Sequence, residues 1–331
     1  MKRISLTLLG LAVCFGCASS KKSVPPPQAP VEPAPYIYPD SRNYADFVQK
    51  DCVRAEEKNE IVVLSNRHGT AQVSLYGANV FSYVPAGGSE VLFSTQKPDF
   101  TSSDFQHAGI PIVWPWFNQN GEAGSNLHGF ARQMRWRVVE KSENQNVSSL
   151  LLEIVSTEET RRLWPYDFRL RYRIVLSDQL QLSLVTENTD SVPFSITEGF
   201  HSFFRVSDVN SVVLRGLDGC RNDQIVSDGR NPVFKGDLQF HAGEGRVFMP
   251  GSGEYVLFDK GLNRAIALAA RGHRKLILWS IPKMVGGQFG EGDWQHFVCL
   301  EPSIISRDVA VTVLPGHQYE LRMSIKAAAL N

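Results

Sequence analysis

The most chemically telling feature of this chain is a set of ionisable side chains placed inside apolar, strand-like runs. His201 sits in Thr197-Glu198-Gly199-Phe200-His201-Ser202-Phe203-Phe204, and Glu301 in Phe297-Val298-Cys299-Leu300-Glu301-Pro302. A third stretch runs from His107-Ala108-Gly109-Ile110-Pro111 to His128-Gly129-Phe130-Ala131-Arg132. Burying such groups costs free energy unless they are paired or used. Three such placements in one strand-rich chain point to a concave site, and an imidazole with a carboxylate is a working acid–base pair.

Each of these residues admits a chemical and a structural reading. His201 is a proton carrier or a core histidine bonded to a backbone carbonyl; Gly199 beside it marks a bulge or a close approach by a ligand. Glu301 is a general base whose pKa burial raises, or a strand-end carboxylate reaching water. Arg132, five residues past Leu127, offers a planar fork to phosphate, carboxylate or sugar hydroxyls, or is a surface arginine like Arg135 and Arg137. His128 is a ligand contact or stabilises a turn. Trp114, Trp116 and Phe117 present a face to a sugar ring or fill a core. The two central groups, His201 and Glu301, are expected to face each other across a space sized for one pyranose.

Other chemistries find no support. There is no Gly-x-Ser-x-Gly elbow and no phosphate-cradling Gly-Lys-Ser/Thr loop. No spacing of Cys and His resembles a zinc site, so neither metal nor cofactor is expected. Lys plus Arg and Asp plus Glu number 34 each, so no net field favours nucleic acid or a membrane surface.

The elements that must position these groups are strands. Leu170, Tyr172, Ile174 and Leu176 face one way and Arg169, Arg171 and Arg173 the other. Ser177-Asp178-Gln179 turns the chain, and Leu180, Leu182 and Leu184 resume the pattern, giving an antiparallel hairpin with one wet face. Val73 and Leu75, then Val80 and Ser82, bracket the turn-prone Gly77. Further strands are expected at Ile61–Ser65, Arg135–Lys141, Leu150–Val155, Phe194–Glu198, Glu254–Phe258, Ala265–Ala270, Leu276–Trp279 and Tyr319–Ile325. Asp46 to Lys58 is the one modest helix candidate. Many short strands with Gly, Asn and Asp turns predict an all-β fold, a large antiparallel β-sandwich. Nothing from residue 43 to 331 looks like a linker, so this stretch is taken as one domain.

The N-terminal segment is of another kind. Lys2 and Arg3 precede a short apolar run, Ile4 to Gly16, too short to span a bilayer as a helix. It reads as a secretory signal, residues 1–16. Gly16 before Cys17 resembles a bacterial lipoprotein processing site, which makes Cys17 the expected lipidation site; an ordinary signal peptide cut nearby is the other reading. Residues 17–42 are rich in proline and suit an extended tether. The expected address is the bacterial cell envelope, lipid-anchored on the periplasmic face of the outer membrane. The domain retains Cys52, Cys220 and Cys299. A Cys52–Cys220 bridge is compatible with that compartment, and Cys299 suits a buried small hydrophobe.

Taken together, Gly77-Ala78-Asn79-Val80, Gly109-Ile110-Pro111, Trp114-Pro115, His128 to Arg132, Trp164-Pro165-Tyr166-Asp167-Phe168, the stretch around His201, Trp279 and Val298 to Pro302 resemble the hexose-6-phosphate mutarotases. These are also called glucose-6-phosphate 1-epimerases and belong to the aldose 1-epimerase superfamily. The resemblance runs from about Glu60 to Ile325 with order and spacing kept. It implies the galactose mutarotase-like β-sandwich and a sugar or sugar-phosphate substrate; a monomer is expected. It assigns His201 as general acid on the ring oxygen and Glu301 as general base on the anomeric hydroxyl. Arg132, His128, His107, Leu127 and Trp114 become substrate contacts. Two positions depart from it. His107 stands where the family usually has Arg, and Gly245-Arg246-Val247-Phe248 where it has Asp-Arg-Val-Tyr. Arg246 is a candidate to reach the pocket in compensation. The expected activity is interconversion of α and β anomers of an aldohexose or hexose 6-phosphate. A non-catalytic carbohydrate-binding envelope lipoprotein, or an envelope scaffold with a vestigial pocket, would use the same residues differently.

Overall fold

Strict alternation of apolar and polar residues dictates strands whose two faces meet different surroundings. The computed structural model describes residues 60–95, 107–118, 127–224, 233–283, 289–305 and 309–330. The leader, Cys17, the proline-rich tether, the helix expected at Asp46 to Lys58 and the Cys52 half of the proposed bridge lie outside the described residues.

Nine antiparallel strands form the larger sheet. Its order is Leu238–Gln239, Val213–Arg215, Glu254–Asp259, Arg264–Arg271, Gln318–Ala329, Leu180–Asn188, Phe168–Leu176, Ser148–Val155 and Arg137–Glu143. The hairpin read from the sequence supplies its sixth and seventh strands. Leu170, Tyr172, Ile174 and Leu176 are fully buried, while Arg169 and Arg171 turn outward onto Glu153 at 3.4 and 2.9 Å. Burial pushes the Glu153 carboxyl up, but hydrogen bonds from Arg171 and Arg137 outweigh it and hold the group below its ordinary range.

A seven-stranded sheet carries the candidate site. Its path is Asn222–Gln224, Gly245–Phe248, Lys275–Trp279, Phe297–Ser303, Gly199–Phe200 and Ile112–Val113, with Phe203–Arg205 also paired to Phe297–Ser303. One face of this sheet, through Leu276, Leu278, Val298, Leu300, Phe204 and Phe248, joins the main core shared with the larger sheet. The other face bears two small apolar clusters. One contains Phe93, Phe203, Phe289, Phe297 and Cys299, the other Val113, Phe117, Val247 and Ile277, and Trp279 packs against both. The result is the expected antiparallel β-sandwich, with Ile61–Asn66, Gly69–Ser74 and Val80–Pro85 as a further three-stranded sheet.

The structure adds elements that the alternation does not reveal. Gly199–Phe200 and Ile112–Val113 are strands of two residues, too short to show a period. Glu158–Leu163 is a six-residue helix fixed by a reciprocal capping box between Thr157 and Thr160; six residues cannot display an amphipathic stripe. Asn79 and Gly109 explain their shared pattern. The Asn79 amide donates to the Ala108 carbonyl and accepts from the Ile110 N–H, both at 2.9 Å. Gly109 between them has φ 64°, and a Cβ there would lie 2.3 Å from the Val80 carbonyl oxygen.

A buried polar chain links the two sheets. The Trp114 indole N–H donates to Thr186 Oγ1 at 2.9 Å, and that hydroxyl donates to Glu198 Oε2 at 3.2 Å. Burial raises the Glu198 pKa to about 8, with the Thr186 hydrogen bond a smaller opposing effect. The unfolded chain releases this proton near the ordinary value of 4.5, whereas the fold keeps it until about 8. The folded state therefore binds more protons in that window, and stability falls as pH rises through it. Glu198→Gln preserves the shape without the proton. The variant is expected to gain on the order of a few kcal/mol relative to the parent between about pH 5 and 8, read from urea midpoints. A difference that stays constant over that range contradicts the assignment.

Candidate active site

Strand register alone brings the central pair together. Gly199 pairs with Ser303, and Phe203 with Cys299. Counting inward from either pair sets His201 across from Glu301. Gly199 allows the close crossing, since a Cβ there would fall 2.2 Å from Ser303 Oγ. The His201 N–H donates to the Pro111 carbonyl at 3.0 Å, and the Leu300 N–H to the Ser202 carbonyl at 3.3 Å. His201 Nε2 lies 3.5 Å from Glu301 Oε1. The expectation of two groups facing each other across a ring is corrected by this distance. At 3.5 Å no pyranose fits between them; the groups stand side by side and can address two oxygens on one carbon from the same side.

Aromatic and imidazole rings close around the pair. His201 stacks on Phe203 with centroids 4.8 Å apart and planes at 17°. Trp279 and His128 meet it edge-on at 5.9 and 5.6 Å. His107 lies 4.4 Å from Phe289 and 5.8 Å from Phe203, centre to centre. His128, at φ 67°, accepts the Asn118 N–H through Nδ1 at 3.1 Å, so its neutral ring carries the proton on Nε2. Arg132 donates from Nη2 and Nε to the Leu127 carbonyl at 3.1 and 3.3 Å. Leu127 thus holds the guanidinium through its backbone while its side chain stays exposed.

Burial drives the His201 pKa well below its ordinary 6.5, and the electrostatic influence of His128, His107 and Arg132 lowers it further. It drives the Glu301 carboxyl well above 4.5. Burial, helped by Arg132, lowers His128 to about 3. Both shifts favour the uncharged form of each group, imidazole and carboxyl alike. Glu301 Oε2 has no hydrogen-bond partner among the described residues. Only 2% of the Glu301 side chain is exposed, against 10% for His201, so the opening to solvent lies on the imidazole side.

Of the residues singled out in the sequence, His201, Glu301, His128, His107 and Arg132 converge here. Trp114 does not offer a face to a sugar. It is fully buried and packed against Phe130, Trp164 and Phe168, because the residue after the Ile112–Val113 strand points into the main core. Nor does Arg246 reach the pocket. Register places it with Leu278 on the core-side row, and its guanidinium pairs with Glu244 at 3.0 Å. Gly245 pairs with Trp279, so the departed aspartate position does face the site. Residues missed by the sequence reading are Phe203, Phe289 and Cys299. The signal for Cys299 was present: two positions from Glu301 on one strand means the same face. His201, Cys299 and Glu301 each present one donor atom, all within 4.8 Å of one another.

Comparison with known proteins gives the family. The aldose 1-epimerase family model matches residues 60–326. An Escherichia coli (strain K12) protein named "Putative glucose-6-phosphate 1-epimerase" is 29% identical over 280 residues, 83% of this chain and 92% of that protein. A Salmonella typhimurium protein of the same name is 30% identical over 246 residues, covering 73% and 82%. A crystal structure titled as a "putative mutarotase" from Salmonella typhimurium superimposes with a TM-score of 0.75 at 27% identity, covering 81% of this chain and 90% of that one. With a sandwich of the same kind and a match that includes both site strands, the chain belongs to the aldose 1-epimerase family.

Proposed function

We propose that the protein interconverts the α and β anomers of an aldose by moving one proton each way between the sugar and the His201–Glu301 pair. The observation that carries this reading is the 3.5 Å pairing of the two groups across adjacent strands. The anomeric hydroxyl and the ring oxygen are bonded to one carbon, so side-by-side groups can serve both. Sugar hydroxyls entering the pocket solvate the carboxylate and let the shared proton pass to the imidazole. Glu301 then takes the O1 proton while His201 protonates the ring oxygen, and the C1–ring oxygen bond opens. Rotation about C1–C2 and closure by the reverse transfers give the other anomer. His128, through Nε2–H, and Arg132 orient sugar oxygens, and Trp279 with Phe203 bounds the apolar side.

The relatives' printed name points to glucose 6-phosphate. We favour an unphosphorylated or oligomeric aldose for this chain. His107 replaces the arginine expected beside Gly109, which removes a permanent cation from the site, and the expected envelope address is one where sugar phosphates are scarce. We further propose that Cys17 is acylated and that the domain acts as a tethered monomer. Among the described residues no helix is long and apolar enough to cross a membrane, so the lipid would supply the attachment. Expression with labelled palmitate is expected to tag the parent and not Cys17→Ser; equal label in both contradicts the anchor.

Anomer exchange measured by NMR over free and phosphorylated aldoses tests the activity. His201→Gln and Glu301→Gln are each expected to slow exchange by about 10²–10⁴-fold while sugar binding persists. Undiminished exchange in either variant overturns the assignment, and binding without exchange in the parent favours a carbohydrate-binding role.

The pH profile is a second test. The pair works while it holds one proton. A second proton adds only below the depressed His201 value, and the shared one leaves only above the raised Glu301 value. The rate is therefore expected to show no inflection at the ordinary imidazole value, and a single inflection near 6.5 contradicts the shared-proton state.

A further inference from the structure

We propose that Cys299, His201 and Glu301 together form a binding site for a borderline-soft divalent cation of the zinc type, and that its occupancy stops proton transfer by the pair. The inference rests on the placement of three side chains and not on the reaction assigned to them, because metal binding can be read directly.

The site is assembled by register. Cys299 and Glu301 are two apart on Phe297–Ser303 and project from one face, and His201 stands across from Glu301. Their donor atoms are sulfur, nitrogen and oxygen, the mixed set that zinc accepts. Tetrahedral bonds of about 2.0–2.3 Å require ligand-to-ligand edges of about 3.3–3.7 Å. The His201–Glu301 edge is 3.5 Å. All three donors lie within 4.8 Å, so the sulfur reaches an edge of that length by a shift of about 1 Å. An independent sign is Glu301 Oε2, buried and without a hydrogen-bond partner among the described residues.

Charge balance favours the cation. Binding forms metal–sulfur, metal–nitrogen and metal–oxygen bonds and releases two protons to solvent, one from the Cys299 thiol and the single proton of the pair. A doubly charged ion with one thiolate, one carboxylate and a neutral imidazole is neutral overall. A neutral complex avoids the penalty that a buried net charge would carry. The fourth position is left to water or a sugar oxygen. Zinc there takes the imidazole lone pair and the carboxylate that the sugar requires.

Titration of the full chain with Co(II) tests the proposal. One equivalent is expected to give a thiolate-to-cobalt charge-transfer band that one equivalent of Zn(II) removes. Cys299→Ala is expected to abolish the band and weaken zinc binding by about 10-fold or more, whereas Cys220→Ala leaves both intact. Apparent affinity should rise by about 10- to 100-fold per pH unit, following the two released protons. Where the parent is active, zinc should arrest anomer exchange and a chelator restore it. Absence of a band in the parent, or a band that survives Cys299→Ala, overturns the site. Binding with the expected spectrum in a chain that shows no anomer exchange would retain the metal site and reject only the enzymatic reading.

Discussion

The site depends on one antiparallel register. Two pairings on Phe297–Ser303, Gly199 with Ser303 and Phe203 with Cys299, leave His201 no position except across from Glu301. Because side chains alternate with period two, a slip of one residue would turn one of the pair into the main core. Residues that hold the register therefore position the chemistry as firmly as residues that touch it. Gly199 permits the crossing, Ser202 and Pro111 accept backbone bonds on either side of the imidazole, and Asn79 clamps the loop that carries His107.

The second constraint is electrostatic. Two ionisable groups in a dry site are costly as separate charges and cheap as a neutral pair sharing a proton. Neighbouring His128, His107 and Arg132 all disfavour the imidazolium further. In the proposed reaction, burial favours the uncharged form of both groups, and sugar hydroxyls supply the polarity that separates the pair. A group kept neutral by burial can still donate or accept once a polar partner arrives, which suits a reaction that must run equally well in both directions.

Much of this was legible in the sequence, for identifiable reasons. The long strands announced themselves because eight or nine residues display several full alternations, as Phe168–Leu176 and Leu180–Asn188 do. His201 and Glu301 stood out because charge inside an apolar run is expensive. The rest was hidden where information is tertiary. Gly199–Phe200 is too short to show a period, and Trp114 carries no sign of which face its strand end presents. The relation of Cys299 to His201 spans two strands distant in the chain, so ligand-spacing rules for zinc, which look for neighbours in sequence, pass over it. The side-by-side geometry of the pair was equally invisible, since it follows from cross-strand distance and not from residue type.

The two faces of the site sheet explain why such a pair can exist in a stable protein. The inner face is sealed by Leu276, Leu278, Val298 and Leu300 against the larger sheet, and this continuous packing supplies the stability. Among the described residues the outer face is packed in patches, with Phe93, Phe203, Phe289 and Phe297 on one side and Val113, Phe117, Val247 and Ile277 on the other. Those patches exclude water from Glu301 without covering His201 completely, and Trp279 joins them beside the imidazole. A fully packed outer face would bury the pair beyond the reach of any sugar, and a bare one would let water restore ordinary pKa values and erase the shared proton. The division of labour between a sealed face and a partly packed one is therefore what lets one strand, Phe297–Ser303, serve the core through Val298 and Leu300 and present Cys299 and Glu301 to the candidate site.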